Sequence, residues 1–238
     1  MAPRTTKPAD DQPTAGKRKK SDTTRVFIVD DHPVVRQGVG MLVDQQNDME
    51  VCGDAESGPE ALKKIGELDP DLAVVDLSLK DSSGMELIKD LQVQHPEIRI
   101  LVLSMHDETF FAERVLRAGA RGYITKAEST LKVVDGIRAV MKGEVYLSDG
   151  MSSKMISKLV SGYGQPDKPS VDALTDRELE VFELLGNGYG TREIAEKLHR
   201  SVKTIETHRE RIKEKLQIDS ATDLIKHAVQ WVQCERTT

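Results

Sequence analysis

The chain has 238 residues, which at about 100–200 residues per domain predicts one large domain or two modest ones. Only 38% of residues are apolar and 4% aromatic, with a single Trp231, which argues against a large aromatic-lined cavity. A net charge of -6 excludes a protein that is basic all over, and Cys52 and Cys234 are too few for a disulfide framework or a cysteine-based zinc site.

No apolar run approaches the ~18 residues of a membrane span, and the N-terminus lacks the apolar core of a signal peptide. A cytoplasmic protein without a membrane partner is therefore expected. Residues 1–24 hold six Lys/Arg against three Asp/Glu and no large apolar side chain after Met1. Such a tail buries too little surface to offset its ordering entropy, so a disordered basic leader is predicted.

Over residues 25–142 short apolar runs alternate with helical spacing. Strands are predicted at Val26–Val29, Met49–Cys52, Leu72–Val75, Ile100–Leu103 and Gly122–Ile124. Between them, Ser57-Gly-Pro-Glu60 reads as a capping box ahead of an apolar stripe at Ala61, Leu62, Ile65 and Leu68. Further helices are marked by Met85, Leu87, Ile88 and Leu91, by Phe110, Phe111, Val115 and Leu116, and by Leu131, Val134, Ile137 and Met141. Five buried-type strands alternating with helices predict an α/β doubly wound parallel sheet.

Residues 143–172 are rich in Ser and Gly, with a weak helical segment near Met155, Ile156, Leu159 and Val160; they read as a linker with a short helix. Over residues 173–238 the strand signals stop. Thr175-Asp-Arg-Glu178 is a capping box, and helices are predicted at 176–187, 192–199, 202–216 and 221–232. Gly188 ends the first of these, and Thr191 and Ser201 are the predicted N-caps of the next two. The second domain is small and all-helical.

Ligands of doubly wound sheets sit beyond the carboxyl ends of the strands. There the sequence places Asp30-Asp31 after strand one, Asp76 after strand three, Ser104 at the end of strand four and Lys126 at the end of strand five. Each alone is unremarkable, but the fold brings all four strand ends to one rim. Three carboxylates crowd negative charge unless a cation joins them, and Mg²⁺ favours a few carboxylates with waters and phosphate oxygens. One carboxylate then serves as nucleophile toward a phosphoryl group, with Lys126 and Ser104 placed for the transferred group. A dinucleotide site would need a glycine fingerprint after strand one, where Asp-Asp-His-Pro stands instead.

On these residues the segment 25–142 resembles a receiver domain of two-component response regulators. The resemblance implies a flavodoxin-like fold, Asp76 as phosphoacceptor, and Mg²⁺ held by Asp30, Asp31, Asp76 and the backbone carbonyl of Ser78. It also implies Ser104, Tyr123 and Lys126 as the phosphate-binding and switch residues. Ser78 and His106 would flank an attacking water and tune dephosphorylation. One departure is Lys80, where the family often has proline.

On a helical wheel of residues 202–216, Val202, Ile205, Ile212 and Leu216 share one face. Residues 200–215 carry six Lys/Arg against three Glu, whereas 171–238 carries eleven against thirteen, so positive charge concentrates on this helix. The segment Leu174-Thr-Asp-Arg-Glu through Val202-Lys-Thr-Ile-Glu-Thr-His208 to Leu216 resembles the LuxR-type helix-turn-helix DNA-binding domain. The order of the two domains resembles the NarL/FixJ class. By that resemblance Lys203, Thr204, Glu206, Thr207 and Glu210 face bases, and Arg209, Arg211 and Lys213 meet phosphates. The glutamates either accept from cytosine N4 or pair with Lys203 and Lys213, and the sequence leaves both open.

The expected function is a phosphorylation-controlled, DNA-binding transcriptional regulator rather than an enzyme, with self-catalysed phosphotransfer and dephosphorylation only. Its implied partners are a sensor histidine kinase, double-stranded DNA with an inverted repeat and a second copy of the chain, with RNA polymerase a further partner that the resemblance allows. A phosphohydrolase of the haloacid-dehalogenase type needs a second acid two residues after the nucleophile, and Asp76-Leu77-Ser78 lacks it. A phosphorylation-independent binding protein would not need the complete set of acidic residues.

Overall fold

The computed structural model describes residues 23–79, 82–128, 131–161 and 171–237. The tail up to Asp22 and the position of Lys80 lie outside them. Five parallel strands, β1 (Thr24–Val29), β2 (Met49–Ala55), β3 (Leu72–Val75), β4 (Arg99–Ser104) and β5 (Gly122–Thr125), stand in the order β2-β1-β3-β4-β5. The crossovers are α1 (Pro33–Asp44), α2 (Gly58–Leu68), α3 (Gly84–Gln94) and α4 (Glu108–Arg117), and α5 (Leu131–Met141) follows β5. The strand order reverses beside β1, which places the crevice at the carboxyl ends of β1 and β3.

The strands read as unbroken apolar runs because both faces of the sheet are covered. Phe27, Val29, Ala73, Val75 and Val102 point into one core, and Val26, Ile28, Val74, Leu101 and Leu103 into the other, as the period of two requires. The structure departs from the expected capping box at Ser57. Ser57 is the N-cap of α2, but its side chain makes no cap bond, and Glu60 Oε2 accepts from the Glu56 amide instead.

After α6 (Asp149–Ser161) and a 3-10 turn at Val171–Ala173 comes the helical part: α7 (Asp176–Gly186), α8 (Thr191–Lys197), α9 (Val202–Leu216) and α10 (Ala221–Thr237). The α7 capping box is formed, with Thr175 N donating to Glu178 Oε2 over 2.8 Å. Lys215 Nζ donates to the same oxygen over 2.6 Å and ties the end of α9 to the start of α7. Burial opposes the Glu178 charge, but the bonds from Lys215 and Thr175 prevail and hold its carboxyl below the usual range. Gly188, with φ of 88°, follows the end of α7, and Ser201 Oγ caps α9 through the Thr204 amide. Gly190, not Thr191, is the N-cap of α8, and α10 runs to Thr237 rather than stopping near residue 232.

One glycine fixes how close α3 comes to the crevice. A Cβ on Gly84 would lie 1.9 Å from the Asp76 carbonyl oxygen, and the Gly84 amide donates to Leu77 O over 2.9 Å. Both neighbours are backbone and cannot rotate away. Gly84→Ala should therefore destabilise the α/β part by at least the ~1–3 kcal/mol typical of overpacking. Urea unfolding reads this as a lower midpoint at unchanged slope, and an unchanged midpoint would contradict the close approach.

Candidate functional site

The rim of the sheet brings together the residues read from the strand ends. Asp30 and Asp76 are each 2% exposed, and Ser104 is fully buried. Lys126 Nζ lies 2.7 Å from Asp30 Oδ2 and 2.6 Å from Asp76 Oδ2, bridging two carboxylates that would otherwise repel. The Lys126 amide donates to Ser104 O over 2.7 Å, which fixes the lysine from the adjacent strand. Burial pushes the Asp76 carboxyl up, against the opposing pull of Lys126. Burial likewise works against the Lys126 ammonium, but the charges of Asp76 and Asp30 outweigh it and its pKa is raised.

Asp30, Asp31, His32 and Asp76 form a cluster with one ligand atom each within 4.8 Å of the others. Asp31 Oδ1 is buried and receives no hydrogen bond, although His32 Nδ1 lies 2.7 Å away. A carboxylate oxygen orphaned among further carboxylate oxygens suits a hard divalent cation, so the donor set fits Mg²⁺. Asp30, Asp31 and Asp76 are the side chains that would hold it. The backbone at Ser78 folds toward the same place, its amide donating to Asp76 Oδ1 over 3.2 Å.

From this rim a chain of contacts leads outward. Ser104 Oγ accepts from the His106 amide over 3.3 Å, and the fully buried Tyr123 hydroxyl donates to His106 O over 3.0 Å. Burial pushes the Tyr123 phenol well up, so it remains a donor. His106 Nε2 lies 2.9 Å from Ser78 Oγ, and its Nδ1 lies 2.6 Å from Glu183 Oε2 on α7. Burial disfavours the His106 charge, but the Glu183 carboxylate more than compensates and raises its pKa. Ser78 and His106, expected to flank a water path, are thus bonded to each other.

Glu183 belongs to a wider contact between the two parts. Arg114 on α4 donates to Leu174 O over 2.8 Å and to Val171 O over 3.1 Å, and lies 3.2 Å from Asp176 Oδ1. Arg177 donates to Ser82 O and pairs with Glu180 over 2.7 Å. Trp231 of α10 packs on Phe110 of α4 with ring centroids 4.4 Å apart. His199 Nε2, in the turn between α8 and α9, lies 3.7 Å from Asp31 Oδ2. A cavity of about 980 Å³ remains over the rim, lined by Asp76, Ser78, His106, Glu183 and His199 among others.

On α9, Lys203, Glu206, Thr207, Glu210 and Arg211 are exposed and Thr204 is half-buried. Lys213 pairs with Glu210 over 2.7 Å, so the pairing reading is realised for Glu210. Arg209 donates to Thr191 Oγ1 on α8, which directs it along the domain rather than outward. The Thr207 hydroxyl donates back to Lys203 O over 2.9 Å.

A parallel sheet with this acidic rim, followed by a helix-turn-helix unit, defines a response regulator. Residues 26–138 match the response regulator receiver domain, and residues 172–228 match the bacterial regulatory proteins of the luxR family. The chain belongs to the LuxR family of response regulators. It is 37% identical over 209 residues to the oxygen regulatory protein NreC of Staphylococcus carnosus, covering 86% of this chain and 96% of that protein. NreC of Staphylococcus aureus is 39% identical over the same share. Among solved structures, RcsB of Salmonella enterica serovar Typhimurium, bound to promoter rprA in the presence of phosphomimetic BeF3-, superposes with a TM-score of 0.58 at 27% identity. That match covers 87% of this chain and 98% of RcsB. The protein is a phosphorylation-controlled, DNA-binding transcription regulator and not a classical enzyme.

Sequence reasoning missed Glu183, Arg114, Arg177 and His199. Three glutamates of α7, at 178, 180 and 183, are buried, paired with Lys215, Arg177 and His106 respectively. Breaking a buried pair costs about 3–5 kcal/mol because one charge is left uncompensated. Glu183→Ala should therefore loosen the contact between receiver and helix-turn-helix domain, seen as a red shift of Trp231 emission and a larger radius of gyration. Unchanged emission and radius would show that the His106–Glu183 pair does not hold the two domains together.

Proposed function

We propose that Asp76 accepts a phosphoryl group from a sensor histidine kinase and that the modified receiver controls dimerisation and DNA binding. The observation that carries this reading is the buried rim: a carboxylate at Asp76, a lysine bridging it to Asp30, and an orphaned carboxylate oxygen on Asp31. Mg²⁺, when bound, supplies neutralising charge for the incoming phosphoryl oxygens. An Asp76 carboxylate oxygen attacks phosphorus, the bond to the donor's leaving group breaks, and an aspartyl phosphate results. Lys126 exchanges its Asp76 oxygen for a phosphoryl oxygen, and the Ser104 hydroxyl donates to another.

Movement of Ser104 toward the phosphoryl group acts on the His106 amide that it accepts from, and Tyr123 holds the His106 carbonyl. The His106–Glu183 pair then carries the change to α7. Ser78 and His106 shape the approach of water to the aspartyl phosphate and so set its lifetime. Release frees α10, whose Trp231 packs on Phe110, to pair with a second copy. This reading accords with RcsB, solved on promoter DNA with a phosphomimetic. The dimer places two α9 helices in successive major grooves of an inverted repeat, with half-sites about 34–36 Å apart. A kinase donor and a DNA target place the protein in the cytoplasm, and contact with RNA polymerase fits an activator.

Two predictions test this. Asp76→Asn should abolish labelling by acetyl phosphate with Mg²⁺, since an amide is a poor nucleophile; undiminished labelling mapped to Asp30 or Asp31 would overturn the assignment.

On DNA, Arg211→Ala should weaken binding to all duplexes alike and reduce the salt slope by about one unit. Changes at Thr207 or Glu210 should instead redistribute base preference by about 1–3 kcal/mol per read position. Binding titrations of the phosphorylated protein on specific and scrambled duplexes at several salt concentrations separate the two. Equal binding to both duplex types would remove α9 as the reading helix.

A further inference from the structure

A second cavity, of about 240 Å³, lies on the boundary between the domains, where α3 faces α7 and α9. The receiver contributes Ser82 and Ser83, and the helix-turn-helix domain contributes Arg177, Arg200 and His208. Two buried polar atoms of these residues have no hydrogen-bond partner, Ser83 Oγ from one domain and His208 Nδ1 from the other. Ser83 is 4% exposed, so bulk water does not satisfy its hydroxyl. It is also the N-cap of α3 and makes no cap bond, which leaves the positive end of an eleven-residue helix without a side-chain acceptor.

The charge of the cavity follows from its partners. Arg177 is balanced by Glu180, while Arg200 forms no ion pair among the described residues. Among the described residues Glu86 is the one carboxylate lining the opening, and it is exposed and screened by solvent. Burial pushes the His208 imidazole down, Glu178 opposes this, and the nearby Arg211, Arg177 and Arg200 charges add to the lowering. Unpartnered polar atoms from both domains, beside a guanidinium with no ion pair among the described residues, suit an acceptor with several oxygens.

We propose that this cavity binds a phosphate oxyanion, either inorganic phosphate or the terminal group of a phosphomonoester, and that the occupant braces the receiver against the helix-turn-helix domain. Ser83 Oγ donates from the receiver, and Arg200 with the Nδ1–H tautomer of His208 donates from the other side. Because the Gly84 amide is bonded to Leu77 O, the occupant also grips the loop that carries Asp76. The anion therefore favours the closed arrangement and opposes release of α10.

The test titrates sodium phosphate into the unphosphorylated full-length protein without Mg²⁺, with sodium chloride at matched ionic strength as control. Trp231, the chain's one tryptophan, packs on Phe110 across the boundary and reports the closed contact. A saturable change beyond the chloride control is expected, weakened about tenfold or more in Arg200→Ala and in Ser83→Ala. Retention of the response in Asp76→Asn separates this cavity from the phosphoacceptor rim. A parallel titration with phenyl phosphate distinguishes the sources: a matching response assigns the site to phosphomonoesters, a response to phosphate alone assigns it to the free ion. No saturable change, or an undiminished one in both Arg200→Ala and Ser83→Ala, would show a packing gap only and overturn the proposal.

Discussion

The structure depends on burying like charges at one point. Asp30 and Asp76 are almost wholly removed from water, and Asp31 stands beside them. Coulomb repulsion among such groups is far larger in a protein interior than in water, so they coexist only with a cation between them. Lys126 supplies one such cation, and its position is fixed by the backbone bond to Ser104 O. The sheet order makes this possible: β3 lies between β1 and β4, with β5 next to β4, so four strand ends share one edge. Gly84 completes the arrangement by letting α3 pack directly on the Asp76 backbone.

This rim was legible because each of its residues follows an apolar run at once or after one intervening residue. A strand buried on both faces announces itself without periodicity, and the residue after it sits at the rim wherever the sheet goes. Asp30, Asp76, Ser104 and Lys126 therefore needed no knowledge of side-chain contacts. The helix-turn-helix part was legible from its caps: Thr175 with Glu178, and Ser201 with Thr204, make local bonds that a short window contains. Ser57 shows the limit of that window. The spacing is right, but Glu60 has an equally near amide at Glu56 and takes it.

The contact between the domains was not legible, for a physical reason. Glu178, Glu180 and Glu183 are ordinary helix residues in sequence, and their burial makes sense only once Lys215, Arg177 and His106 are placed beside them. The His106–Glu183 pair joins residues 77 apart, and Arg114 reaches Leu174 over a separation of 60. In the proposed function the apolar side of α10 pairs with a second copy. In this structure α4 takes up part of it through Phe110 and Trp231.

That competition bears on how a switch of this design works. The exposed face of α9, with Lys203, Glu206, Thr207 and Glu210, is open in the closed arrangement. The receiver holds α7 through Glu183 and Arg177, and it holds the side of α10 that carries Trp231. A phosphoryl group shifts such an equilibrium only through contacts that differ between the two states. The contacts able to differ include the Lys126 bridge, the Ser104–His106 bond, the His106 bonds to Ser78, Tyr123 and Glu183, and the approach of His199 to Asp31. His106 bonds to both the rim and α7, so a change at Asp76 that moves it perturbs its bond to the buried Glu183 carboxylate. Moving from mostly closed to mostly open takes roughly 5.5 kcal/mol of differential stabilisation, and the net worth of one buried pair is small once its desolvation is counted, so several of these contacts must change together.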